Sequence, residues 1–547
     1  MQDFRATTEK RPEVRDLLGV APNTGKRRPG EGLPTKGAEP VFANDFSVGL
    51  WVEVPQDRAG AAGGLVSKFD PKTRLGFNLS AVSSAGGYNG PGDEIRVSFG
   101  MDAGKEPIWA YRGRPSPTSN FSTSLTVFDG RLHAGSNDGK EPKDWAHVYR
   151  LAGDTEWEDL GQVSKEGSHG IGPMVVHRGS LFVAAWNHDY TRVHHQDLAP
   201  CRVYRYVAPN NWEDCGEPGR SKRLFSIASY HGDLYVVGDD WTVQVYRGGQ
   251  TWEEVAKLTT FAHPMSVADE RLAIATWEDP PTVLTYDGAD WDDLGNPLND
   301  PIRCTQIHSL AIFGDALHAG HWPLGRISRW DKAARRWRQL GRLGDSTEIN
   351  AMAAFNGKLY AGALPRAEVF RYEHDGKWTS LRRFRDEPGW RPILPNYIQR
   401  LPDADERVRS LGRVTSLTEH DGLLFASVTS CTGAAVDAPT DERGSVFALR
   451  AGAVATSPNS LDAGWHHVVG VRRGAKLTVY VDGHESASSD GFKGSIATNA
   501  PLWVGQDQTA SYAHGRHGFA AADKAWSENE VRLLLEATKP GAAASAA

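Results

Sequence analysis

Residues 186–195 read Trp-Asn-His-Asp-Tyr-Thr-Arg-Val-His-His, placing three imidazoles, a phenol and a guanidinium in one short stretch. That set matches the needs of β-elimination at a uronic acid. Arg192 would neutralise the carboxylate, His188 would take the α-proton and Tyr190 would protonate the leaving oxygen, with His321 sharing the role of base. Comparable polar segments follow other apolar hairpins: Asp239-Asp240-Trp241, Trp277-Glu278-Asp279, His321-Trp322 with Arg326, and Pro365-Arg366 with Glu368. The rings of Trp186, Trp241, Trp277 and Trp322 suit the C–H face of a sugar, and Asp240, Glu278, Arg326 and Arg366 suit its hydroxyls and charges. Segments between the repeats add His169, Arg223, His263, Arg303, His308 and Glu348. Other readings stay open. Asp240, Glu278 and Glu368 offer the paired carboxylates of a hydrolase. The same residues could serve a glycan-binding protein with no reaction, the tryptophans could pack between repeats, and 186–195 could be an ordinary solvated loop.

Several classes fall away. Net charge is −7 with both signs mixed along the chain, so no nucleic-acid face is expected. No apolar run is long enough to cross a bilayer, so no membrane partner is expected either. The first twenty residues lack an apolar signal-peptide core. The protein is then cytoplasmic, or secreted or periplasmic with its signal already removed. Neighbouring residues on a strand point to opposite faces, so His194-His195 and His466-His467 are not read as metal ligands. The four cysteines form no C-x-x-C pair. Cys201 and Cys215 flank one hairpin, as a disulfide across it or as two buried thiols. No cofactor is implied. A structural calcium in the loops of the flanking region is allowed, although no ligand spacing marks one.

The elements that must position these groups come from a repeat between about residues 109 and 450. Its first half is a hairpin with a glycine turn, as in LTVFDGRLHAG (125–135), IASYHGDLYVVG (227–238), LAIFGDALHAG (310–320) and MAAFNGKLYAG (352–362). Its second half is a short strand such as RVYRYV or EVFRYE, then a tryptophan strand such as WEDLG at Trp157 or WEDCG at Trp212. Seven copies of four strands give a β-propeller. The tryptophans at this one strand position (Trp157, Trp212, Trp252, Trp291, Trp337 and Trp378) are expected to pack between blades. The seventh copy lacks its tryptophan strand, and an orphan strand precedes the first copy: Trp109 with Gly113-Arg114-Pro115, comparable to Trp212 with Gly216-Glu217-Pro218. Strand 109–113 is therefore expected beside 445–450, closing the ring and removing its edges.

The flanks alternate as strands too: FSVGLWVEVP, GGLVSKFD, LGFNLSAV and EIRVSFGM before the repeats, GWHHVVGVRRG, KLTVYVDGHES and APLWVGQ after them. Ser-Glu-Asn-Glu (527–530) opens a short helix with a capping signature. The combination DFSVGLWV…LVSKFD…GFNLS with GWHHVVGVRRGAKLTVYVDGHE…PLWVGQ resembles a laminin-G or concanavalin-A-like jelly roll. Neither flank closes a sandwich alone, so the resemblance implies an all-β fold in which a seven-bladed propeller (106–452) is inserted into a sandwich (41–105 and 453–540). A lead-in (1–40) and a tail (541–547) complete the chain. The architecture resembles bacterial proteins that pair such sandwiches and propellers, which assigns no activity. Seven-bladed polysaccharide lyases are similar at fold level in using His, Tyr and Arg together, without a shared motif. Sialidases are also propellers with lectin-like companions, but their Ser-x-Asp-x-Gly-x-x-Trp turns do not occur here. The expectation is a carbohydrate-active protein acting on a poly- or oligosaccharide at the propeller centre, with β-elimination placed ahead of hydrolysis. The segment SAGGYNGPGDE (84–94) is expected as a shaped loop that turns the chain or lines the propeller mouth.

Overall fold

A computed structural model describes residues 41–58, 61–83, 89–119, 121–137, 141–164, 168–187, 200–277, 280–298, 306–384, 412–430 and 444–540. The fold is all-β: a seven-bladed propeller inserted into a jelly-roll sandwich. One sandwich sheet runs His484–Asp490, Lys476–Val481, Gly464–Arg473, Phe46–Val54, Arg516–Ala522. The other runs Ala453–Thr456, Arg96–Ala103, Leu75–Val82, Gly63–Asp70, Trp503–Val504. Each sheet interleaves strands from both ends of the chain. Phe46 lies opposite Arg472 and Val54 opposite Gly464, while Met101 lies opposite Ala453. Alternation sends Phe46, Val48, Leu50, Val52 and Val54 into a core shared with Phe77, Leu79, Val97 and Phe99. On the outer face of the first sheet, Val469, Val471, Tyr480 and Ala520 are covered by Trp526, Val531 and Leu534. The last two belong to helix Glu528–Thr538, which starts at the Ser527–Glu530 capping box.

Blades I to VI take four consecutive strands each, beginning with inner strands Phe121–Phe128, Gly170–His177, Leu224–Tyr230, Ala262–Ala268, Gln306–Phe313 and Glu348–Phe355. Blade VII takes Gly412–His420, Leu423–Ser430 and Ser445–Arg450, and its outer strand is Ile108–Tyr111. Trp109 lies opposite Leu449 and Tyr111 opposite Phe447. The outer-strand tryptophans explain the repeat physically. Trp157 Nε1 donates to Arg112 O (2.8 Å), Trp212 to Leu160 O (3.3 Å), Trp252 to Cys215 O (2.8 Å) and Trp337 to Leu294 O (3.0 Å). Each ring packs between blades and latches onto the blade before it; for Trp157 that blade is the one closed from the other end of the repeat region. Gly113 and Gly216 are required here. Both adopt left-handed backbone (φ +82° and +89°), and a Cβ on Gly113 would meet Thr155 O at 2.0 Å. Cys201 and Cys215 are buried free thiols, and burial pushes the Cys201 thiol up to about 12.

The sandwich sits beneath the propeller, against the turns that join inner to second strands. Asn356 Nδ2 donates to Met101 O (3.2 Å) and Ala451 O (2.9 Å), and the Asp315 carboxylate accepts from Ser511 N (2.5 Å) and Oγ (2.8 Å). The described part of the 84–94 segment reaches the inner strands from this lower side. Asn89 Nδ2 donates to Leu125 O (2.6 Å) in blade I, and its Oδ1 accepts from Met174 N (2.9 Å) in blade II. Gly90 N donates to Ile227 O in blade III, and Ser229 N donates back to Pro91 O. A Cβ on Gly90 would lie 2.7 Å from Ile227 O and from Ala228 Cβ, so only glycine fits. This loop lines the lower mouth. Beside it lies a cavity of about 360 Å³ between sandwich and propeller. Asn89 is 5% exposed, and Asn89→Ala would take two hydrogen bonds from buried backbone groups, stripping Met174 N of its Asn89 acceptor and leaving Leu125 O to the Thr418 hydroxyl (3.1 Å). The expected cost is about 2–3 kcal/mol, measured as a shift in the urea midpoint. A shift under about 0.5 kcal/mol would show that the loop does not hold the two domains together.

Candidate functional site at the upper mouth

Every inner strand carries a register break near its start, at Ser122/Leu125, Ile171/Met174, Leu224/Ser226, Ala262/Met265, Ile307/Ser309, Ile349/Ala351 and Val414/Ser416. A bulge expels one or two residues from the ladder and re-aims them. The expelled residues of blades III to VII include Phe225, His263, His308, Asn350 and Thr415. All seven strands start on the face opposite the sandwich, so the bulges form a ring around the upper mouth.

Part of that ring is one contiguous cluster. The rings of His263 and Trp277 stack at 4.9 Å, those of Trp277 and His308 are 4.8 Å apart, and Trp277 Nε1 donates to Ile307 O (3.1 Å). Phe225 packs on both Trp277 (4.8 Å) and His263 (5.1 Å). His308 Nδ1 lies 3.1 Å from Glu348 Oε1, whose carboxylate is also 3.1 Å from Arg413 Nη2. His263, His308 and Glu348 are 1%, 3% and 4% exposed. Burial therefore decides their charge. It holds both imidazoles well below the usual histidine range, reinforced by the Arg413 charge, so both are neutral at pH 7. Burial also raises the Glu348 carboxyl, and Arg413 opposes that shift.

Next to this cluster, Arg223 projects beside the start of blade III. Its Nε donates to Asp239 Oδ2 (3.0 Å), and its guanidinium carbon sits 5.0 Å from the Phe225 ring centre and 6.0 Å from that of Phe261. Trp241 is 40% exposed, at φ +68°, with its ring centre 6.2 Å from Phe261.

The residues expected from sequence spread across this region. His188, Tyr190, Arg192 and Glu278 lie outside the described residues, as do Arg303 and His194-His195. His321 is 1% exposed, with Nε2 2.8 Å from Ser328 Oγ, and burial lowers it to about 3. Trp186 is 2% exposed and edge-on to Phe225, an inter-blade packing position. Trp277 and Trp322 are half-buried, the former within the cluster. The Asp240 carboxylate caps its own turn, accepting from Arg220 N (2.6 Å) and Thr242 Oγ1 (2.9 Å). Glu368 binds Arg383 Nε (3.0 Å) and Ser380 within blade VI, so Asp240 and Glu368 face partners in separate blades. Arg326 is half-buried, and Arg366 Nε reaches Asp345 Oδ2 at 3.3 Å. In the sandwich, His466 Nδ1 is 2.8 Å from Asp482 while His467 is buried. Among the described residues no group of three or more His, Cys, Asp or Glu side chains is arranged to hold a metal. Sequence reasoning missed Arg413, Phe225 and Phe261. The available signal was positional, since Arg413 precedes Val414-Thr415-Ser416 as Glu348 precedes Ile349-Asn350-Ala351.

The family profile of the concanavalin A-like lectin/glucanases superfamily matches residues 413–532, from blade VII through the late sandwich strands. The sandwich is a concanavalin A-like domain. The early strands of this domain precede the insertion, so the match covers one side of it. Among curated proteins no sequence matches this one. Solved structures that resemble the chain include a catalytically inactive virginiamycin B lyase from Staphylococcus aureus with quinupristin (10% identity, 63% of this chain and 99% of that one, TM-score 0.44). Others are YCF48 from Cyanidioschyzon merolae (9%, 62% and 98%, TM-score 0.40) and the extracellular domain of a one-component system from B. thetaiotaomicron (11%, 63% and 40%, TM-score 0.42). At such identities and TM-scores these likenesses carry no argument, and the fold and blade count rest on the sheet topology above. The helix packs on one face of the concanavalin A-like sandwich and the propeller lies against the other.

Proposed function

We propose that this protein cleaves uronic-acid-containing glycans by β-elimination at the upper mouth of the propeller. The observation that carries the reading is the convergence of neutral imidazoles, guanidinium groups and aromatic rings on one face. A neutral imidazole can accept a proton, and a guanidinium can neutralise the uronate carboxylate and so acidify the neighbouring C–H. The base removes that proton, the electron pair forms a C=C bond, the glycosidic C–O bond breaks, and the leaving oxygen is protonated. In this reading His188 supplies the base, Tyr190 the acid, and Arg192 with Arg223 the positive charge.

The product carries a double bond conjugated to a carboxylate, which absorbs in the ultraviolet. Incubation with a panel of uronide polysaccharides is expected to raise that absorbance, and Tyr190→Phe or His188→Ala to slow it by about 10²-fold or more. Reducing sugar released without absorbance would replace elimination with hydrolysis. The second reading, a glycan-binding protein without a reaction, is favoured by the burial of His263 and His308. It predicts retention on polysaccharide with no product.

A further inference from the structure

Among the described residues, Arg223 is a half-buried cation at the upper mouth, and its surroundings fix its direction. Asp239 accepts three hydrogen bonds from one segment: Lys222 N (2.8 Å) and Arg223 N (3.2 Å) on Oδ1, and Arg223 Nε (3.0 Å) on Oδ2. Two backbone donors thus hold the carboxylate that holds the guanidinium. The guanidinium carbon lies over the Phe225 and Phe261 rings, 5.0 and 6.0 Å from their centres. The Arg223 side chain remains 21% exposed, and among the described residues only its Nε is bonded to a protein side chain. A guanidinium constrained in this way keeps its planar fork of terminal N–H groups for an outside partner, and that fork matches a carboxylate. Beside it, beyond Phe261, stands Trp241. A bulky side chain in left-handed backbone is uncommon, and this one holds an indole at the surface instead of in the core.

We infer that Arg223 reads the carboxylate of an acidic sugar, that Asp239 is its positioning residue, and that Trp241 is the stacking platform for the same or the adjoining sugar. This deepens the elimination reading and rests on it for the choice of a uronate. It adds a specificity determinant: acidic glycans are preferred over their neutral counterparts because of one oriented guanidinium. Arginine alone suits the role. Lysine would keep the charge but lose the fork and the planar contact with the rings.

The test is affinity electrophoresis of the full chain through gels containing a panel of uronide polysaccharides, each paired with its carboxyl-reduced form. The wild type is expected to bind at least one acidic polymer about tenfold or more tighter than the reduced form. Arg223→Gln and Arg223→Lys should bring the two forms to similar affinity. Asp239→Asn should reduce the preference and Asp239→Glu restore much of it, with unchanged thermal midpoints. Trp241→Ala should weaken binding to both forms alike. Retention of the full acidic preference by R223Q overturns the inference, as does a wild type that binds no acidic polymer or does not discriminate. The two readings fail separately. Arg223-dependent preference without any ultraviolet-absorbing product sinks elimination and leaves the subsite standing. Product formation with an unchanged KM in R223Q does the reverse.

Discussion

Acidification from pH 6.5 to about pH 5 unfolds this protein. Seven histidines are both buried and depressed by that burial: His133 and His321 to about 3, His177, His318 and His467 to about 4, and His263 and His308 well below the ordinary value. The sign follows from linkage. A folded pKa below the unfolded one means that the unfolded chain takes up protons that the native state refuses, so stability is lost as pH falls below about 6.5. Each such group contributes roughly 1.4 kcal/mol per pH unit in that window. Seven together exceed a typical total stability within about one to two pH units. Buried carboxyls act in the opposite direction. Glu94, raised by burial to about 7, binds its proton in the native state first and offsets part of the loss. The expected result is an acid midpoint near pH 5 by circular dichroism, with proton uptake on unfolding. Native secondary and tertiary signals persisting at pH 4 would contradict it.

Arg413→Met is the second large effect. Glu348 is 4% exposed and sits 3.1 Å from the Arg413 guanidinium, so removing the cation leaves a buried carboxylate beside the Asn350 amide and His308, which is held neutral, with no positive charge from either. Breaking a buried pair from one side costs about 3–5 kcal/mol, because desolvation is no longer compensated. Burial already raises the Glu348 pKa, and losing Arg413 raises it further. A raised carboxyl is destabilising above its unfolded value and recovers as the proton binds, so the deficit of R413M should be larger at pH 8 than at pH 6.5. Glu348→Gln in the R413M background should recover much of it. A denaturant-midpoint series at both pH values measures this. A deficit below about 1 kcal/mol with no pH dependence would mean that the pair is not coupled.

The repeat was legible because its signals are local. A glycine-containing turn between two alternating segments can be read in any window, and the tryptophan strand recurs at a fixed offset. Even ring closure was legible, since Trp109 and Gly113 repeat the spacing of Trp212 and Gly216 across a long sequence separation. The composition of the mouth was harder to read. A bulge breaks alternation by one or two residues, and nothing local separates His308 in a bulge from His318 in the core of its hairpin. Trp186 and Trp241 look alike in sequence because each follows an apolar strand. The structure buries the first against Phe225 and exposes the second on a left-handed turn. The face on which the sandwich sits depends on contacts such as Asn89 to Leu125 and Met174, which join separate elements through backbone groups and leave no pattern in composition.

The chain passes between the two domains along a pair of strands. Arg96–Ala103 is paired with Ala453–Thr456 in the sandwich, and Ile108–Tyr111 with Ser445–Arg450 in blade VII; only residues 104–107 and 451–452 separate the two ladders. During synthesis this sets an order. The four early sandwich strands leave the ribosome first and cannot complete either sheet, because their neighbours are encoded beyond residue 452. Closing so long a loop unaided costs about 5 kcal/mol of chain entropy. Folding of the propeller absorbs that cost, since the pairing of its first and last strands delivers Ala103 and Ala453 to adjacent positions. The inserted ring is thus the assembly jig for its host. A nascent chain arrested once residue 452 has cleared the ribosome, with the late sandwich strands still inside it or not yet made, should hold a finished propeller with four strands still waiting for partners.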